Sequence, residues 1–519
     1  MSDLPQKIAV VSNIIFEPHF VLMAKRYFGN DVIVYPIPYC EYTDVEYQYQ
    51  LTESDMIVLW LDFECLFPNF YNAFFSQTKN AKMVIEEVNG LFKRVYSDLA
   101  ITTNAHIVWF SFEDYFIKLP TVLGYNYNAL IDKINVDLSD ILKDKVNFID
   151  LKRIIAEVGI TNAYDPKGKY RWNAPYSKEM IEAAVKEVHK QYLIEKGLTK
   201  KCLVLDCDNV LWGGILSEDG VENLKLGSSG FGRAYQDFQR FVLSLYYHGV
   251  ILAICSKNDI SDVMMIFHEH GEMILKEEHI ACFQVNWGNK PDNIKRIAET
   301  LNIGLDSMVF VDDSPIEIES VKAMLPEVTT ILYDRDTMYE QFSCFNLKSN
   351  TSVADIEKRN ETYRTNQSRE ALKTQYDSYT DYINALEVKI DIHEAAPIEF
   401  GRISELTQRT NKCTNGIRYT VAEIKERADL EDVTLYSFSV SDRFSDLGLV
   451  GVIEIENDTL TLFSLSCRAL GREIEIKMLD FVAGKHEITK IDFKSTGKNE
   501  DIKAVLLNTF PFCDFHREE

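Results

Sequence analysis

The sequence predicts an α/β protein of three domains. The chain has 519 residues, and a domain usually holds about 150. Over 1–197 and again over 198–348, short apolar runs alternate with stretches of helical spacing. This alternation is typical of a parallel sheet covered by helices. Over 381–519, strand-like runs dominate, which favours an α+β domain.

The first domain, residues 1–197, is expected to hold five strands, because five apolar runs stand between polar segments. Segments such as 70–100 and 177–196 have the apolar spacing of helices. The predicted strands cover residues 8–11, 31–37, 55–61, 106–112 and 146–151.

The second domain, residues 198–348, repeats this alternation more tightly. The polar segment 349–380 is predicted to be a connecting helix on the surface. In the third domain, residues 381–519, we expect strands and two helices, near 397–410 and 471–484. The predicted strands of both domains cover residues 202–206, 250–256, 282–285, 308–313, 387–393, 433–440, 449–456, 459–466 and 487–493.

The composition excludes several classes of protein. A net charge of −25 and a pI near 4.9 argue against a nucleic-acid binder. The ten cysteines include no CxxC pair, which argues against a zinc ribbon or a disulfide framework. The sequence shows neither a signal-peptide pattern nor an apolar run long enough to span a membrane. We therefore expect a cytoplasmic protein that binds neither nucleic acid nor membrane.

The sharpest chemical signal is the run CLVLDCDNVLWGG, which places Asp206 and Asp208 just after a predicted strand. Side chains at the carboxyl end of such a strand face the crevice where open α/β sheets bind ligands. One carboxylate can hold a cation and attack phosphorus while the other moves a proton. A solvated acidic turn explains the pair equally well, because Asp is common in turns.

Polar residues follow three further predicted strands. After one, a hydroxyl and backbone N–H groups are placed to bind a phosphoryl oxygen, and after another a lysine opens a helix. After the last, an acidic pair suits Mg²⁺ through its oxygens. These residues are Ser256, Lys257 and Asn258, then Lys290, then Asp312 and Asp313.

The four motifs, in this order, resemble those of the haloacid dehalogenase (HAD) superfamily. The runs DCDNVLWGGILSEDG, FGRAYQDFQ and VDDSP are similar to its FkbH-like branch, as are LTQRTNKCTNGIRYT and SLSCRALGREIE in the third domain. The resemblance implies an SGNH- or flavodoxin-like first domain, a HAD-type Rossmann-like second domain and a GNAT-like third domain. Only about 31 residues separate Asn258 from Lys290, which leaves no room for a large cap domain.

The HAD resemblance implies that Asp206 takes the phosphoryl group and that Asp208 is the general acid and base. Ser256 and Lys290 would neutralise the phosphoryl oxygens. The implied ligands of Mg²⁺ are Asp206, the backbone carbonyl of Asp208, and Asp312 or Asp313.

The FkbH-like resemblance implies more than hydrolysis. Enzymes of that branch take a glyceryl group from 1,3-bisphosphoglycerate, hold it as a thioester, release phosphate, and pass the group to an acyl carrier protein. Cys207 is the positional candidate for the thioester and Cys467 the second. Strand alternation counts against Cys207 and Cys255, and a buried apolar role remains open for all three. The alternative function is a Mg²⁺-dependent phosphatase that acts on a small phosphoester without acyl transfer.

The GNAT-like resemblance implies that a strand-to-helix turn with Arg468 and Gly471 binds substrate. Glu473 occupies a position where a small residue is expected, which favours a carrier-bound phosphopantetheine over acetyl-CoA. We also expect a basic cluster that docks an acidic carrier protein, although ordinary surface arginines remain the alternative. The cluster would comprise Arg409, Arg418, Arg468 and Arg472.

The SGNH-like first domain is expected to be an inactive scaffold or docking domain. Ser12 and Asn13 follow its first strand without a GDS turn, and no histidine stands three residues after Asp165. A serine without a base to take its proton is a poor nucleophile.

Overall fold

The computed structural model describes residues 6–67, 81–103, 105–113, 121–142, 146–334, 338–347, 353–365, 376, 378–470 and 472–517. They form two compact units, Met1–Lys196 and Gly197–Glu519. Within the described ranges, no helix has both the length and the apolar character that crossing a lipid bilayer requires.

The first unit is built on a five-stranded parallel sheet. Its strands are β1 (Lys7–Ser12), β2 (Ile33–Pro38), β3 (Met56–Trp60), β4 (His106–Phe110) and β5 (Asn147–Ile149). They lie in the order β2-β1-β3-β4-β5, which is the flavodoxin-like doubly wound order.

Helices cover both faces of this sheet. Ile8 and Val10 of β1 pack into one apolar core, and Ala9 and Val11 pack into the other. This burial on both faces explains why the strands read as continuous apolar runs. The helices are α1 (His19–Phe28), α2 (Val45–Thr52), α3 (Phe63–Leu66), α4 (Ala81–Thr102), α5 (Thr121–Leu142), α6 (Leu151–Val158), α7 (Ile160–Ala163), α8 (Pro166–Trp172) and α9 (Lys178–Glu195).

The second unit begins with another five-stranded parallel sheet. Its strands are β6 (Cys202–Leu205), β7 (Ile251–Ser256), β8 (Ile280–Val285), β9 (Met308–Asp312) and β10 (Thr329–Leu332). They lie in the order β10-β9-β6-β7-β8, a Rossmann-like order that puts the first strand at the centre. Its helices are α10 (Leu216–Asp219), α11 (Gly232–Tyr247), α12 (Ile260–Glu269), α13 (Lys290–Leu301) and α14 (Pro315–Met324).

Among the described residues, α15 (Val353–Arg364) lies within the segment predicted to connect the domains, and α16 (Tyr379–Ala385) begins at its end. α15 is exposed along one side, as predicted for a surface helix, and buried along the other. Ile356 is fully buried and packs into a core of the preceding sheet, and Asn360 is buried as well. The contact could not be predicted from the sequence of α15, because that sequence is mostly polar and only a few of its residues face the core. Residues 349–352, 366–375 and 377 of the predicted segment lie outside the described ranges.

A six-stranded mixed sheet completes the second unit. Its strands are β11 (Lys389–Glu394), β12 (Val433–Ser441), β13 (Asp446–Glu456), β14 (Thr459–Leu465), β15 (Lys490–Phe493) and β16 (Asp514–Arg517), paired in chain order. The first four strands are antiparallel, whereas β14, β15 and β16 are parallel. The helices are α17 (Phe400–Arg409), α18 (Val421–Ala428), α19 (Ile474–Ala483) and α20 (Glu500–Thr509). The sequence predicted neither β10 (TTIL) nor β16 (DFHR), since neither is a continuous apolar run.

Hydrogen bonds join the third sheet and α15 to the Rossmann-like sheet. The carbonyl of Gly249, just after α11, accepts hydrogen bonds from Arg359 and Arg409, each at 2.8 Å. The ammonium group of Lys201 donates to the carbonyl of Arg409 at 2.7 Å. The two sheets therefore belong to one compact unit, and its division into domains at 348 and 381 stays a prediction.

A segment of the chain fills a gap in the mixed sheet. Strands β14 and β15 pair only at Thr459–Lys490 and Leu460–Ile491. Beyond that point, the side-chain amide of Asn415 lies between them and donates to the carbonyls of Thr461 at 2.9 Å and Asp492 at 3.0 Å. We call residues 413–416 the wedge.

The wedge is also fixed by its own backbone. Asn415 N–H donates to the carbonyl of Phe463 at 3.0 Å, and Lys494 N–H donates to the carbonyl of Asn415 at 2.8 Å. Gly416 has φ = 88°, and a Cβ there would collide with the Lys494 carbonyl. Only glycine fits such a position without strain.

Candidate functional site

The carboxyl ends of neighbouring strands bring the predicted residues together. Because β9, β6 and β7 are adjacent, Asp312 at the end of β9, Asp206 just beyond β6 and Ser256 at the end of β7 share one edge of the sheet. Lys290 enters the same place from the first position of α13. We call this set of residues, with Asp208 and Asp313, the acidic site.

Lys290 is the central cation of the acidic site. Its Nζ lies 2.9 Å from Asp206 Oδ1 and 2.5 Å from Asp312 Oδ2, and all three side chains are buried. Burial alone would lower the pKa of Lys290, but the charges of Asp206 and Asp312 outweigh it and raise that pKa. The ammonium group is therefore held in its charged form.

Three carboxylates surround this single lysine. Oxygens of Asp206, Asp312 and Asp313 all lie within 4.8 Å of one another. Burial and the nearby charge of Asp206 raise the pKa of both Asp312 and Asp313. One ammonium group cannot balance three carboxylates.

The donor atoms of the site suit a hard divalent cation. Asp206 Oδ1 is buried, and its contact within the described ranges is the ion pair with the Lys290 ammonium group at 2.9 Å. Crowded carboxylate oxygens are the ligands that Mg²⁺ prefers, and a cation there would offset their repulsion. Asp206, Asp312 and Asp313 therefore fit a magnesium ion by number, atom type and charge.

Asp208 is held in one position by three donors. Trp212 Nε1 and Leu216 N–H donate to its Oδ1 at 2.9 and 3.2 Å, and Asn258 Nδ2 donates to its Oδ2 at 3.0 Å. Burial is the main cause of its raised pKa. A carboxyl group that favours protonation and is fixed beside Asp206 is suited to proton transfer.

The three residues predicted to bind a phosphoryl oxygen, Ser256, Lys257 and Asn258, do not all lie in the site. Ser256 and Asn258 are buried, and Asn258 Nδ2 also donates to Ser256 Oγ at 3.1 Å. Lys257 instead forms an ion pair with Glu317 at 2.6 Å, so its charge is already neutralised. The sequence analysis missed Glu317 and also Trp212. The position of Trp212, four residues after Asp208, was the available signal.

The candidate thioester cysteines in the Rossmann-like sheet are buried. Cys207 and Cys255 have no exposed surface. Burial raises the pKa of Cys207 well above its ordinary value and that of Cys255 to about 12. A thiol in this state is a poor nucleophile. Cys467 is half-buried and lies between β14 and α19.

The predicted turn of the third domain is only partly described. Gly471 and the side chain of Arg468 lie outside the described residues. The backbone of Arg468 belongs to a short 3₁₀ turn, Cys467–Ala469. The helix that follows begins at Ile474, and Glu473 before it adopts φ = 56° with no side-chain cap.

The predicted basic cluster was wrong for its three described side chains, because internal acceptors hold them. A cation bound in this way offers little attraction to an acidic partner. Arg409 binds Glu405 at 2.9 Å and the Gly249 carbonyl, Arg418 binds Asn411 Oδ1 at 2.6 Å and backbone carbonyls, and the buried Arg472 binds Asp442 at 3.2 Å.

Ser12 of the first unit serves as an internal hydrogen-bonding group. It is buried, its Oγ donates to the carbonyl of Trp60 at 2.6 Å, and it accepts from Ile14 N–H at 3.2 Å. Within the described ranges, no histidine hydrogen-bonds to it. Asp165 caps α8 by accepting from Lys167 N–H. That the first domain is inactive stays a prediction.

We expect Ser12→Ala to leave every hydrolytic activity of the chain unchanged. The substitution removes one buried hydrogen bond, which should lower the free energy of unfolding by about 1 kcal/mol. Esterase assays with short acyl esters and urea denaturation measure the two effects. A loss of esterase activity at unchanged stability would contradict this expectation.

Comparison with known proteins gives matches among solved structures. No protein-family model and no curated protein matches the sequence. The chain is similar to the N-terminal part of the protein BF1531 from Bacteroides fragilis, a structure containing a phosphatase domain complexed with Mg. The identity is 26%, the TM-score is 0.58, and the match covers 66% of this chain and 94% of that chain.

Two further structures are weakly similar. A HAD family enzyme from Bacteroides thetaiotaomicron, in complex with magnesium and inorganic phosphate, has 12% identity and a TM-score of 0.20 over 27% of this chain and 98% of that chain. The salicylyl-acyltransferase SsfX3 from a tetracycline biosynthetic pathway has 15% identity and a TM-score of 0.25 over 37% of this chain and 56% of that chain. TM-scores this low do not establish a shared fold.

The likeness to the Bacteroides fragilis structure confirms the predicted multi-domain α/β fold with a HAD-like domain. The FkbH-like, SGNH-like and GNAT-like assignments stay predictions.

Proposed function

We propose that this chain is a Mg²⁺-dependent phosphatase of the HAD type, which acts on a small phosphorylated molecule at the acidic site. The observation that carries the proposal is the buried Lys290, which lies between Asp206 and Asp312 with Asp313 close by. The likeness to a phosphatase domain complexed with Mg supports it. Phosphoryl transfer depends mainly on positioning and on charge neutralisation, and this arrangement offers both.

The proposed reaction uses seven side chains, two of which only hold the metal. Asp206 attacks phosphorus, and its oxygen–phosphorus bond forms as the ester bond breaks. Asp208 gives its proton to the departing oxygen and later takes one from the water that hydrolyses the aspartyl phosphate. Lys290 and Ser256 bind the phosphoryl oxygens. Asn258 holds the side chains of Ser256 and Asp208 in position by donating a hydrogen bond to each. Mg²⁺, held by Asp206, Asp312 and Asp313, would supply charge neutralisation.

The assay that tests this function measures phosphate release from a panel of small phosphomonoesters, with Mg²⁺ and with excess EDTA. We expect turnover that depends on Mg²⁺. Turnover that persists unchanged in EDTA would contradict the metal assignment. A complete absence of turnover across sugar and polyol phosphates, and with acyl phosphates added to the panel as mixed anhydrides, would contradict the proposed function.

Acyl transfer is a more specific proposal than phosphatase activity, and it rests on the resemblance of the sequence to the FkbH-like branch. Glyceryl transfer from 1,3-bisphosphoglycerate to an acyl carrier protein needs an accessible thiol, and the buried Cys207 does not support that step. Mass spectrometry of the intact protein after incubation with 1,3-bisphosphoglycerate distinguishes the two activities. A glyceryl adduct would favour transfer, and phosphate release without an adduct would favour the phosphatase. A cytoplasmic location and an acyl carrier partner also remain predictions.

We expect Mg²⁺ to raise the melting temperature of the protein. An ion that binds only the folded state adds about 2.7 kcal/mol of stability at a hundred times its Kd. Differential scanning fluorimetry with Mg²⁺, and with K⁺ at matched ionic strength, measures the effect. Asp313→Asn removes one proposed ligand and should shrink the Mg²⁺ shift. The matched variant Asp237→Asn, on the exposed face of α11, should keep the full shift.

A further inference from the structure

A cavity lies at the amino ends of the strands of the Rossmann-like sheet, opposite the acidic site. It has a volume of about 120 Å³, far above the roughly 15 Å³ that one water needs. Lys201 precedes β6, and residues 302–307 precede β9, so both come from the amino ends of these strands. The acidic site lies at the carboxyl ends, roughly 16 Å away along β6.

The mixed-sheet part of the same unit closes this cavity. Asn411 and Lys412 approach from beside the wedge, Cys467 from the turn after β14, and Lys498 from the segment before α20. The Asn302 side chain donates to the carbonyl of Cys467 at 3.2 Å and joins the two walls. We call this space the seam cavity.

Lys201 is the unusual group in the seam cavity. Its ammonium group has three N–H donors but only one acceptor within the described ranges, the Arg409 carbonyl at 2.7 Å. No described carboxylate lies within ion-pair distance of it. Burial, together with the charges of Arg409, Arg418 and Lys498, lowers the pKa of Lys201 to about 8. The charge of Asp306 also acts on Lys201, but Asp306 forms its ion pair with Lys498. Lys201 therefore has no carboxylate of its own within the described ranges, and an anion in the cavity would reduce the cost of holding this half-buried charge.

The other charged groups leave the cavity positive. Lys498 is paired with Asp306, so these two charges cancel. Lys412 is exposed and has no ion-pair partner within the described ranges. Lys201 and Lys412 therefore give an excess of about two positive charges, on a chain whose net charge is −25. A doubly charged anion matches this excess, and oxygen acceptors match the free ammonium donors.

We propose that the seam cavity is a binding site for a phosphate-sized dianion, with Lys201 as its central ligand and Lys412 at its mouth. The site is separate from the acidic site in position and does not depend on the proposed phosphatase activity. Its occupant would bridge the Rossmann-like sheet and the mixed sheet, because the lining residues come from both.

Cys467 provides a local probe, since its side chain lines the cavity. The experiment measures the alkylation rate of Cys467 by iodoacetamide, peptide by peptide, in EDTA and at constant ionic strength. Inorganic phosphate at about ten times its Kd should slow this rate roughly tenfold, because only the empty fraction reacts. The exposed Cys40 should react at an unchanged rate and serves as the internal reference.

Different anions identify the chemistry of the ligand. Sulfate, also a dianion, should protect Cys467 nearly as well as phosphate, whereas acetate should protect it much less. AMP tests whether the phosphate group of a larger molecule can enter. Protection by AMP would identify an open site for phosphomonoesters, and its absence would restrict the site to the free ion.

Lys201→Met should abolish the protection by phosphate. The matched variant Lys200→Met should retain it, because Lys200 binds the carbonyls of Asp306 and Glu327 and does not line the cavity. Lys412→Met changes an exposed side chain and carries little risk of misfolding, and it should weaken protection several-fold. Cys467 reactivity that ignores phosphate in the wild-type protein would overturn the proposal. Equal protection in Lys201→Met would overturn it as well.

Discussion

Asp206→Asn is expected to reduce phosphate release by at least about a thousandfold, because it removes the proposed nucleophile. An amide has almost the same volume as a carboxylate but is neutral and far less nucleophilic. The substitution also removes one of three crowded negative charges. The metal-free variant should therefore melt at a higher temperature than the metal-free wild-type protein, and its Mg²⁺ shift should be smaller.

Phosphate release and melting temperature test two separate parts of this prediction, the role of Asp206 in catalysis and the repulsion between the carboxylates. Malachite-green assays give the release of phosphate, and scanning fluorimetry gives the melting temperatures. Asp237→Asn makes the same chemical change on an exposed surface and should alter neither quantity. Wild-type turnover in Asp206→Asn would show that the acidic site is not the active site. A lower melting temperature without metal would show that carboxylate repulsion does not dominate there.

Lys290→Met is expected to be the most destabilising of these substitutions. It leaves Asp206 and Asp312 buried without their cation, and breaking a buried ion pair in this way costs about 3 to 5 kcal/mol. Methionine keeps the length of the side chain, so the loss measures charge rather than an empty volume. We expect phosphate release to disappear together with stability, since the same ammonium group is proposed to bind the phosphoryl oxygens.

Urea denaturation without Mg²⁺ measures this cost, and added Mg²⁺ should recover part of it by supplying another positive charge. Lys295→Met lies on the same helix, α13, where the lysine is half-exposed and its nearest carboxylate, Asp292, is 3.9 Å away. It should change the free energy of unfolding by less than about 0.5 kcal/mol. Equal stability of Lys290→Met and the wild-type protein would contradict the electrostatic description of the site.

Local sequence patterns predicted the strands and the place where the polar motifs meet. The strands β1, β3, β6 and β9 were predictable because each is a continuous apolar run, as burial on two faces requires. The meeting of Asp206, Ser256 and Asp312 at one sheet edge followed from their positions at strand ends. Sequence spacing alone did not reveal which strands are neighbours. The structure shows that β9, β6 and β7 lie side by side.

Other features depend on partners that are distant in the chain. The ion pair that occupies Lys257 joins residues 60 positions apart. Arg409 reads as a surface cation, but its guanidinium meets a carbonyl 160 positions away. The sequence around Lys257 does not indicate its pairing with Glu317, and the sequence around Arg409 does not indicate its bond to the carbonyl of Gly249. Charged side chains were therefore predicted to face solvent or ligands where the folded chain uses them internally.

The wedge limits which extended molecules can pair with the backbone of the mixed sheet. A gap between two parallel strands exposes backbone groups, and an extended molecule could pair with them as an added strand. Here Asn415 already makes that pairing from within the chain. A tethered segment acts at an effective concentration in the millimolar range, so a weakly bound arm from another protein competes poorly for the same groups. An extended arm of another protein would therefore have to displace Asn415 before it could pair with the gap between β14 and β15.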